Sequence, residues 1–437
     1  MSIEIITIIL FGSMILFLVL GHPVAFSLGG IAAVFTLFLW SPEALLTIPI
    51  TIWKGMTGFT LIALPLFIYM ANMLERSGVA DDLYEMMYRW LGAVRGGLAV
   101  GTVLICTLVA AMSATSGAAT VSMGLIALPS MLKRDYDKQI AIGCISAGGA
   151  LGLLIPPSII MIILGLMGNL SVGKLFAGGI FPGLLFSSLF IAYILIRSFF
   201  QRDLAPALPP EERVGWREKL ASLRAVILPV LLVIGVLGSI FAGMATPSEA
   251  AGIGALGSIL CAAIYRRLNW QNFKEAGYSS LRLTGMVMWI YFGAIAFSVI
   301  YAALGASELL EGILMGLPGG RWGALAGMLA TFLVLGCLMD AFGIIAICAP
   351  LYFPIIRSLG FDPLWFGILW VLTVEIAHLT PPFGFNLFYM KGVVPKGITI
   401  MDIYRSIVPF VGLQLVGLII VIIFPEIAVW LPGIIFK

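Results

Sequence analysis

The chain reads as a succession of long apolar stretches separated by short polar turns. A helix needs about 20 apolar residues to cross about 30 Å of hydrocarbon. Ten stretches serve as spans, near 4–20, 24–40, 57–74, 139–168, 175–197, 225–243, 248–265, 283–304, 364–390 and 406–434. Two further stretches, 97–132 and 323–356, are interrupted by small and polar residues. The first breaks at Ser113-Ala114-Thr115-Ser116-Gly117, the second around Met339-Asp340-Ala341-Phe342-Gly343. Each arm is about 15 or 16 residues, roughly 24 Å of helix, which is short for a full crossing. The pattern therefore predicts two re-entrant hairpins.

Composition agrees with a lipid environment. Apolar residues make up 61% of the 437 and charged residues 10%, with a mean hydropathy of +1.12, whereas soluble domains carry about 25% charge. The longest polar stretch, Gln201 to Arg224, holds Pro206, Pro209 and Pro210 before an amphipathic 211–223 and predicts a cytoplasmic linker. Ala80–Leu91 and Glu308–Leu317 have the pattern of helices lying along a surface. The first apolar run has no Lys or Arg before it, so it is expected to be a retained helix with its N-terminus outside. In that orientation only Lys54, Lys174, Arg321, Arg357 and Lys437 of the 24 basic residues fall outside, the bias of the positive-inside rule. No nucleic-acid partner is expected; the partner that composition demands is a lipid bilayer.

The second half repeats the first at an offset of about 225 residues. Pro23 and Gly30 meet Pro247 and Gly254; Glu85, Arg95 and Gly97 meet Glu311, Arg321 and Gly323; Asp137, Pro156 and Pro157 meet Asp362, Pro381 and Pro382. An odd number of crossings in each half inserts the copies upside down relative to each other. The expected fold is an all-α polytopic membrane protein, an inverted repeat with two re-entrant hairpins and two broken helices. Its parts are 1–200 (hairpin 97–132, broken helix 139–168), linker 201–224, and 225–437 (hairpin 323–356, broken helix 364–390). Inverted repeats with interrupted helices in matching places mark secondary transporters.

The chemistry is expected at the interruptions. A proline inside a helix removes an N–H and clashes with the carbonyl one turn back. A carbonyl freed in hydrocarbon costs several kcal/mol unless it finds a partner, and a hard cation is one such partner. Ser113 and Ser116 with carbonyls near Gly152 and Ile155 form one candidate cage for Na⁺. Thr380 with carbonyls near Gly336, Ala377 and Phe383 forms the other. Thr115, Pro156, Ser158, Pro381 and Asn386 lie beside these cages and are candidate solute contacts. Asp340 at the second tip and Glu375 in mid-helix join them, because intramembrane carboxylates are costly and usually functional. Glu249, following Thr246-Pro247-Ser248, reads as a charge at a helix N-terminus, and His378 as a hydrogen-bonded structural histidine. The five cysteines lie in apolar runs without metal-ligand spacing. Gly168 to Leu175 imitates a phosphate loop, but Leu175 stands where Ser or Thr must hold Mg²⁺. No catalytic residue and no cofactor is expected, other than Na⁺ as a coupling ion.

Leu379-Thr380-Pro381-Pro382-Phe383-Gly384-Phe385-Asn386, Leu154-Ile155-Pro156-Pro157-Ser158, Ala245-Thr246-Pro247-Ser248-Glu249 and Met339-Asp340 resemble the signatures of the DctM-type large subunit of TRAP transporters. The resemblance covers essentially the whole chain. It implies a bacterial inner-membrane importer driven by a Na⁺ gradient through an elevator motion. It also implies a small four-helix membrane subunit and a periplasmic binding protein that captures the solute, commonly an organic acid. By motif, the family's sodium sites fall on the first hairpin tip with Gly152 and Ile155, and on the second tip with Thr380. Ala377 here replaces a glycine usual in the family, and Phe383 a common valine. Three rival readings are a single-chain dicarboxylate carrier of the same plan, an intramembrane protease, and an antiporter-like subunit of a respiratory complex.

Overall fold

The computed structural model describes residues 2–436 except Ala114, Leu338 and Phe383, and gives no side-chain description for Ser113, Ala225 and Ser307. The described residues form helices and turns, without a strand. Among the described residues six helices are long and apolar enough to cross a membrane: Phe59–Arg76, Val172–Phe200, Pro247–Ile264, Trp270–Ala303, Ala341–Ser358 and Ile400–Ile423.

Most helix ends fall where local chemistry places them. Asp137, Asp362, Thr246, Thr399 and Asn269 each accept hydrogen bonds from backbone N–H groups of the turn they precede. At Thr246 the bond is reciprocal. Glu249 N–H donates to Thr246 Oγ1 at 3.3 Å, and Thr246 N–H donates to Glu249 Oε2 at 2.8 Å. This is a capping box, the N-terminal role the sequence assigns to Glu249.

The order of elements recurs along the chain. Val24–Phe35, Ala63–Arg76, a short Val79–Leu91, the hairpin Gly97–Ser113/Ser116–Leu132, the interrupted pair Lys138–Ala150/Ile159–Gly168 and Val172–Phe200 come first. Pro247–Ile264, Trp270–Ala303, Ala306–Met315, Arg321–Gly336/Ala341–Ser358, Pro363–Leu379/Phe385–Val393 and Ile400–Ile423 follow in the same order.

Four features differ from expectation. The second arm of the second hairpin, Ala341–Ser358, has 18 residues and is long and apolar enough to cross a membrane, where the sequence pattern predicts an arm too short for a full crossing. The stretch 406–434 is two helices, Ile400–Ile423 and Glu426–Ile435, parted at Phe424-Pro425. Apolar character runs through the break, so hydropathy alone hides it, although Pro425 marks a helix stop. A helix Thr47–Met56 precedes the third span. Trp270–Ala303 begins well before the apolar stretch near 283, since its first three turns are polar.

Tertiary packing exchanges partners between halves. Each hairpin lays its first arm on the first segment of its own broken helix: Gly148 meets Cys106, and Gly336 meets Ala377. Each lays its second arm on the second segment of the other half's broken helix. A Cβ at Gly124 would lie 2.4 Å from Val393, and one at Gly168 would lie 2.5 Å from Phe353. Outside this central group, Ala63–Arg76 packs on Pro247–Ile264 through Gly254 and Met70, and Val24–Phe35 packs on Trp270–Ala303 through Gly293 and Ala25. Helices in lipid gain nothing from the hydrophobic effect by meeting each other, so close approach over small residues supplies the attraction.

The second hairpin is anchored by a buried aromatic stack. Trp370 lies 4.1 Å from Phe332 and 5.8 Å from Phe353, ring centroid to centroid, and is fully buried. Trp370→Ala is expected to cost about 3 kcal/mol, the low end for a large-to-small core change because lipid removes much of the transfer contribution. A fluorescence-monitored thermal unfolding series in detergent measures it, with Trp430→Ala on the exposed surface as the reference.

Candidate functional site

Both proline pairs interrupt their helices. Lys138–Ala150 tightens into a short 3-10 turn at Leu151–Leu153, opens at 154–158, and restarts at Ile159. Pro363–Leu379 stops at Thr380 and restarts at Phe385. Pro156-Pro157 and Pro381-Pro382 are both cis.

The first tip lies directly on the first break. A Cβ built on Gly152 would sit 2.8 Å from the Thr115 carbonyl oxygen and 3.2 Å from the Ser116 N. One turn earlier, a Cβ on Gly149 would sit 2.0 Å from Thr120 Oγ1. Glycine at 149 and 152 is what allows the tip to seat. Tyr389, from the other half, closes the opposite side, 2.9 Å from a Cβ on Gly117. Ser116 is buried; the Ser113 side chain lies outside the described residues. Ser158 is buried and engaged: its hydroxyl donates to the Leu153 carbonyl at 2.6 Å and accepts from Met161 N–H at 3.4 Å. It repairs the break. Ile155 packs against Gly183 of the following helix, and Pro156 is buried.

The second tip meets the second break in the same way. A Cβ on Gly336 would lie 2.4 Å from the Ala377 Cβ, and Cys337 Sγ lies 3.9 Å and 4.0 Å from the Thr380 and Pro381 carbonyl oxygens. The Thr380 hydroxyl donates to the Ile376 carbonyl at 2.8 Å, which leaves its lone pairs able to accept a cation. Phe383 lies outside the described residues. Asp340 accepts the Gly343 N–H at 2.7 Å and so caps the second arm of the hairpin. It also borders a cavity of about 1090 Å³, lined mainly by apolar groups such as Met339, Val24 and Trp289, with Thr331 and His22. The first break is buried, whereas Pro381 and Pro382 are exposed.

Three of the expected residues belong to a buried polar layer behind the tips. Glu375 is fully buried and accepts from Gln414 Nε2 at 2.9 Å. Asn386 Nδ2 donates to the Ser146 carbonyl at 3.3 Å, joining the two broken helices. His378 differs from expectation: neither ring nitrogen has a hydrogen-bond partner among the described residues, and the ring packs on Phe385 at 5.3 Å. Gln414 and Ser146 were not anticipated. Gln414 had a signal, since it is the only Gln in the apolar helix 400–423; Ser146 sits among small residues that hide it. Among the described residues no cluster of three or more His, Cys, Asp or Glu could hold a metal ion.

An all-helical body with several membrane-length helices and hairpin tips seated on interrupted helices defines a multi-pass membrane transporter. The model of the DctM component of tripartite ATP-independent periplasmic transporters matches residues 11–427, and the chain belongs to that family. It is 33% identical to the C4-dicarboxylate TRAP transporter large permease protein DctM of Vibrio cholerae, over 99% of this chain and 98% of that one. It is 35% identical to the protein of the same name from Pseudomonas aeruginosa, over 92% and 93%. In structure it is similar to the YdaH transporter of Alcanivorax borkumensis, with a TM-score of 0.63 and 16% identity over 96% of this chain and 98% of that one. The chain is a transporter permease and not an enzyme.

Gly152→Val is expected to lift the first tip off its seat, because the added atoms overlap the Thr115 carbonyl. Uptake in proteoliposomes should fall by about tenfold or more, the loss that about 1.4 kcal/mol at the site produces. Gly412→Val, where a Cβ meets nothing within 4 Å, should leave uptake unchanged.

Proposed function

We propose that this chain is the transport subunit that carries a small organic acid or a related solute inward across the bacterial inner membrane, driven by Na⁺. The observation that carries this reading is the seating of each hairpin tip on a helix interruption of its own half, at Gly152 and at Gly336. Each seat gathers neutral oxygens, from backbone carbonyls and from Ser116 or Thr380, with no fixed charge among them except the capping Asp340. Such a donor set suits a singly charged hard cation and not a transition metal.

The two halves, 1–200 and 225–437, are inverted copies joined by the linker 201–224, with the N-terminus periplasmic. The hairpins, broken helices, Val172–Phe200 and Ile400–Ile423 form a moving body. The remaining long helices form a stationary frame, and the body slides against it as an elevator. By the charge bias, the exposed Pro381-Pro382 break faces the cytoplasm while the Pro156-Pro157 break is closed. This is the asymmetry of an inward-facing state. A four-helix membrane subunit enlarges the frame, and a periplasmic binding protein delivers the solute and chooses it.

Uptake in proteoliposomes holding this chain and its membrane partner is expected to require both Na⁺ and the soluble binding protein. Robust uptake without the binding protein would instead fit a self-sufficient dicarboxylate carrier. Ser116→Ala and Thr380→Ala each remove one neutral oxygen, about 1 kcal/mol, and should raise the half-saturating Na⁺ concentration roughly fivefold. An unchanged Na⁺ response in both variants removes those side chains from the sites.

A further inference from the structure

The polar stretch between the halves is bonded along its length to the base of the first hairpin. The Gly96 N–H donates to the Ala205 carbonyl at 2.9 Å, the Asp137 N–H to the Leu204 carbonyl at 2.8 Å, and the Leu208 N–H to the Gly92 carbonyl at 2.7 Å. The Leu208 side chain fills the space over Gly92, where a Cβ would lie 2.2 Å from its Cδ1. These bonds bracket the turn between the short helix Val79–Leu91 and the hairpin, where Gly96 takes a φ of 72°.

A second set of contacts fastens the same corner from outside. Arg134, at the end of the hairpin, donates from Nη2 to Tyr88 Oη at 2.7 Å and to Glu212 Oε2 at 2.8 Å, and Tyr88 donates to Glu212 as well. Its guanidinium lies over the Tyr88 ring. Trp90 Nε1 donates to the Lys219 carbonyl at 3.0 Å and its ring meets Trp216 edge-on at 5.9 Å. Among the described residues, the matching corner of the second half has one such contact, the Ser358 hydroxyl donating to Glu311 at 2.7 Å.

The other end of Val79–Leu91 is held differently. Gly78 has a φ of 68°, which favours glycine. Arg267, from the loop after Pro247–Ile264, donates to the Ser77 carbonyl at 2.7 Å and to Asp82 Oδ1 at 3.0 Å. Each end has one ion pair, Arg267 to Asp82 here and Arg134 to Glu212 at the hairpin corner. Only the hairpin corner adds three backbone bonds and a packed leucine, so the glycine end is the more easily exchanged.

We propose that residues 204–219 are a splint that makes the short helix Val79–Leu91 rigid with the first hairpin, so that the cytoplasmic hinge of the moving body lies at Ser77-Gly78 and not at Gly92–Gly97. This rests on the elevator reading above. The splint moves with the hairpin through the whole cycle, and the Arg267 contacts are the ones that break and re-form. The second half, without a splint, bends at either end of Ala306–Met315.

The test uses the full chain with its membrane partner and binding protein in proteoliposomes. Tyr88→Cys with Glu212→Cys, bridged by a short bifunctional methanethiosulfonate, should keep its uptake within about twofold of the same variant before bridging. Asp82→Cys with Arg267→Cys, bridged in the same way, should lose at least about tenfold, restored by reductant. The reagent-treated natural chain is the reference for its own five cysteines. If bridging 88 to 212 stops uptake and reductant restores it, the splint is overturned while the elevator stands. If neither bridge slows uptake, the hinge at Ser77-Gly78 and the sliding motion itself are overturned. Hydrogen–deuterium exchange on the unmutated chain gives an independent result. The Gly96, Asp137 and Leu208 amides should stay equally protected with and without Na⁺ and solute, while exchange at 77–82 changes. State-dependent exchange at Gly96 and Asp137 sinks the splint.

Discussion

The structure depends on one constraint: a carbonyl freed by proline in the middle of a bilayer must find a partner there. Two proline pairs free such carbonyls, and the protein answers by folding a hairpin tip onto each break. The rest follows from making that seat fit. Gly149 and Gly152 let the first tip approach to contact, Gly336 does so for the second, and Ser158 returns one hydroxyl to the broken turn. Each seat satisfies part of the backbone and leaves neutral oxygens over, which is what a cation site in low dielectric requires. In the proposed Na⁺ reading, stability and function use the same groups, and a fold that repaired the breaks completely would lose the sites.

Partner exchange turns the two seats into one object. Since the second arm of each hairpin also lies on the second segment of its counterpart's broken helix, neither tip can leave its seat without disturbing the other half. The buried links behind the tips, Asn386 to the Ser146 carbonyl and Gln414 to Glu375, tie the same helices together at depth. A buried carboxyl that meets an amide and, among the described residues, no cation is costly in lipid, and its position five residues before Thr380 places that cost near the second break. In the proposed elevator reading the whole group moves rigidly, because opening one seat alone would disturb both.

Much of this was legible in the chain itself. The Pro-Pro pairs, the polar interruptions of 97–132 and 323–356, and the capping pair Thr246 and Glu249 are local signals, and local chemistry decides them. What was hidden depends on neighbours distant in sequence. His378 has no hydrogen-bond partner among the described residues, and only tertiary packing could show that. Ser146 acquires meaning from Asn386, 240 residues away. Hydropathy also fails where apolar residues continue through a corner, as at Pro425, or where a helix extends out of the apolar zone, as from Trp270 to Arg282. In both cases helix and lipid-facing helix are different questions, and apolar length answers only the second.

Two nearly equivalent halves need not adopt equivalent surroundings at one moment, and these do not. Pro156 and Pro157 are buried while Pro381 and Pro382 are exposed, although both breaks carry the same Pro-Pro chemistry and similar tips. The difference therefore comes from what lies across from each break. The first is faced by Gly179 and Gly183 of Val172–Phe200, close enough that a Cβ at 179 would lie 2.6 Å from the Leu154 carbonyl. At the second break the tyrosine of Ile400–Ile423 reaches over instead, Tyr404 Oη donating to the Pro382 carbonyl at 2.7 Å. A glycine face closes a break by contact; a long polar side chain satisfies a carbonyl while leaving room for water beside it. The repeat supplies two similar seats, and small departures from the repeat decide how exposed each one is.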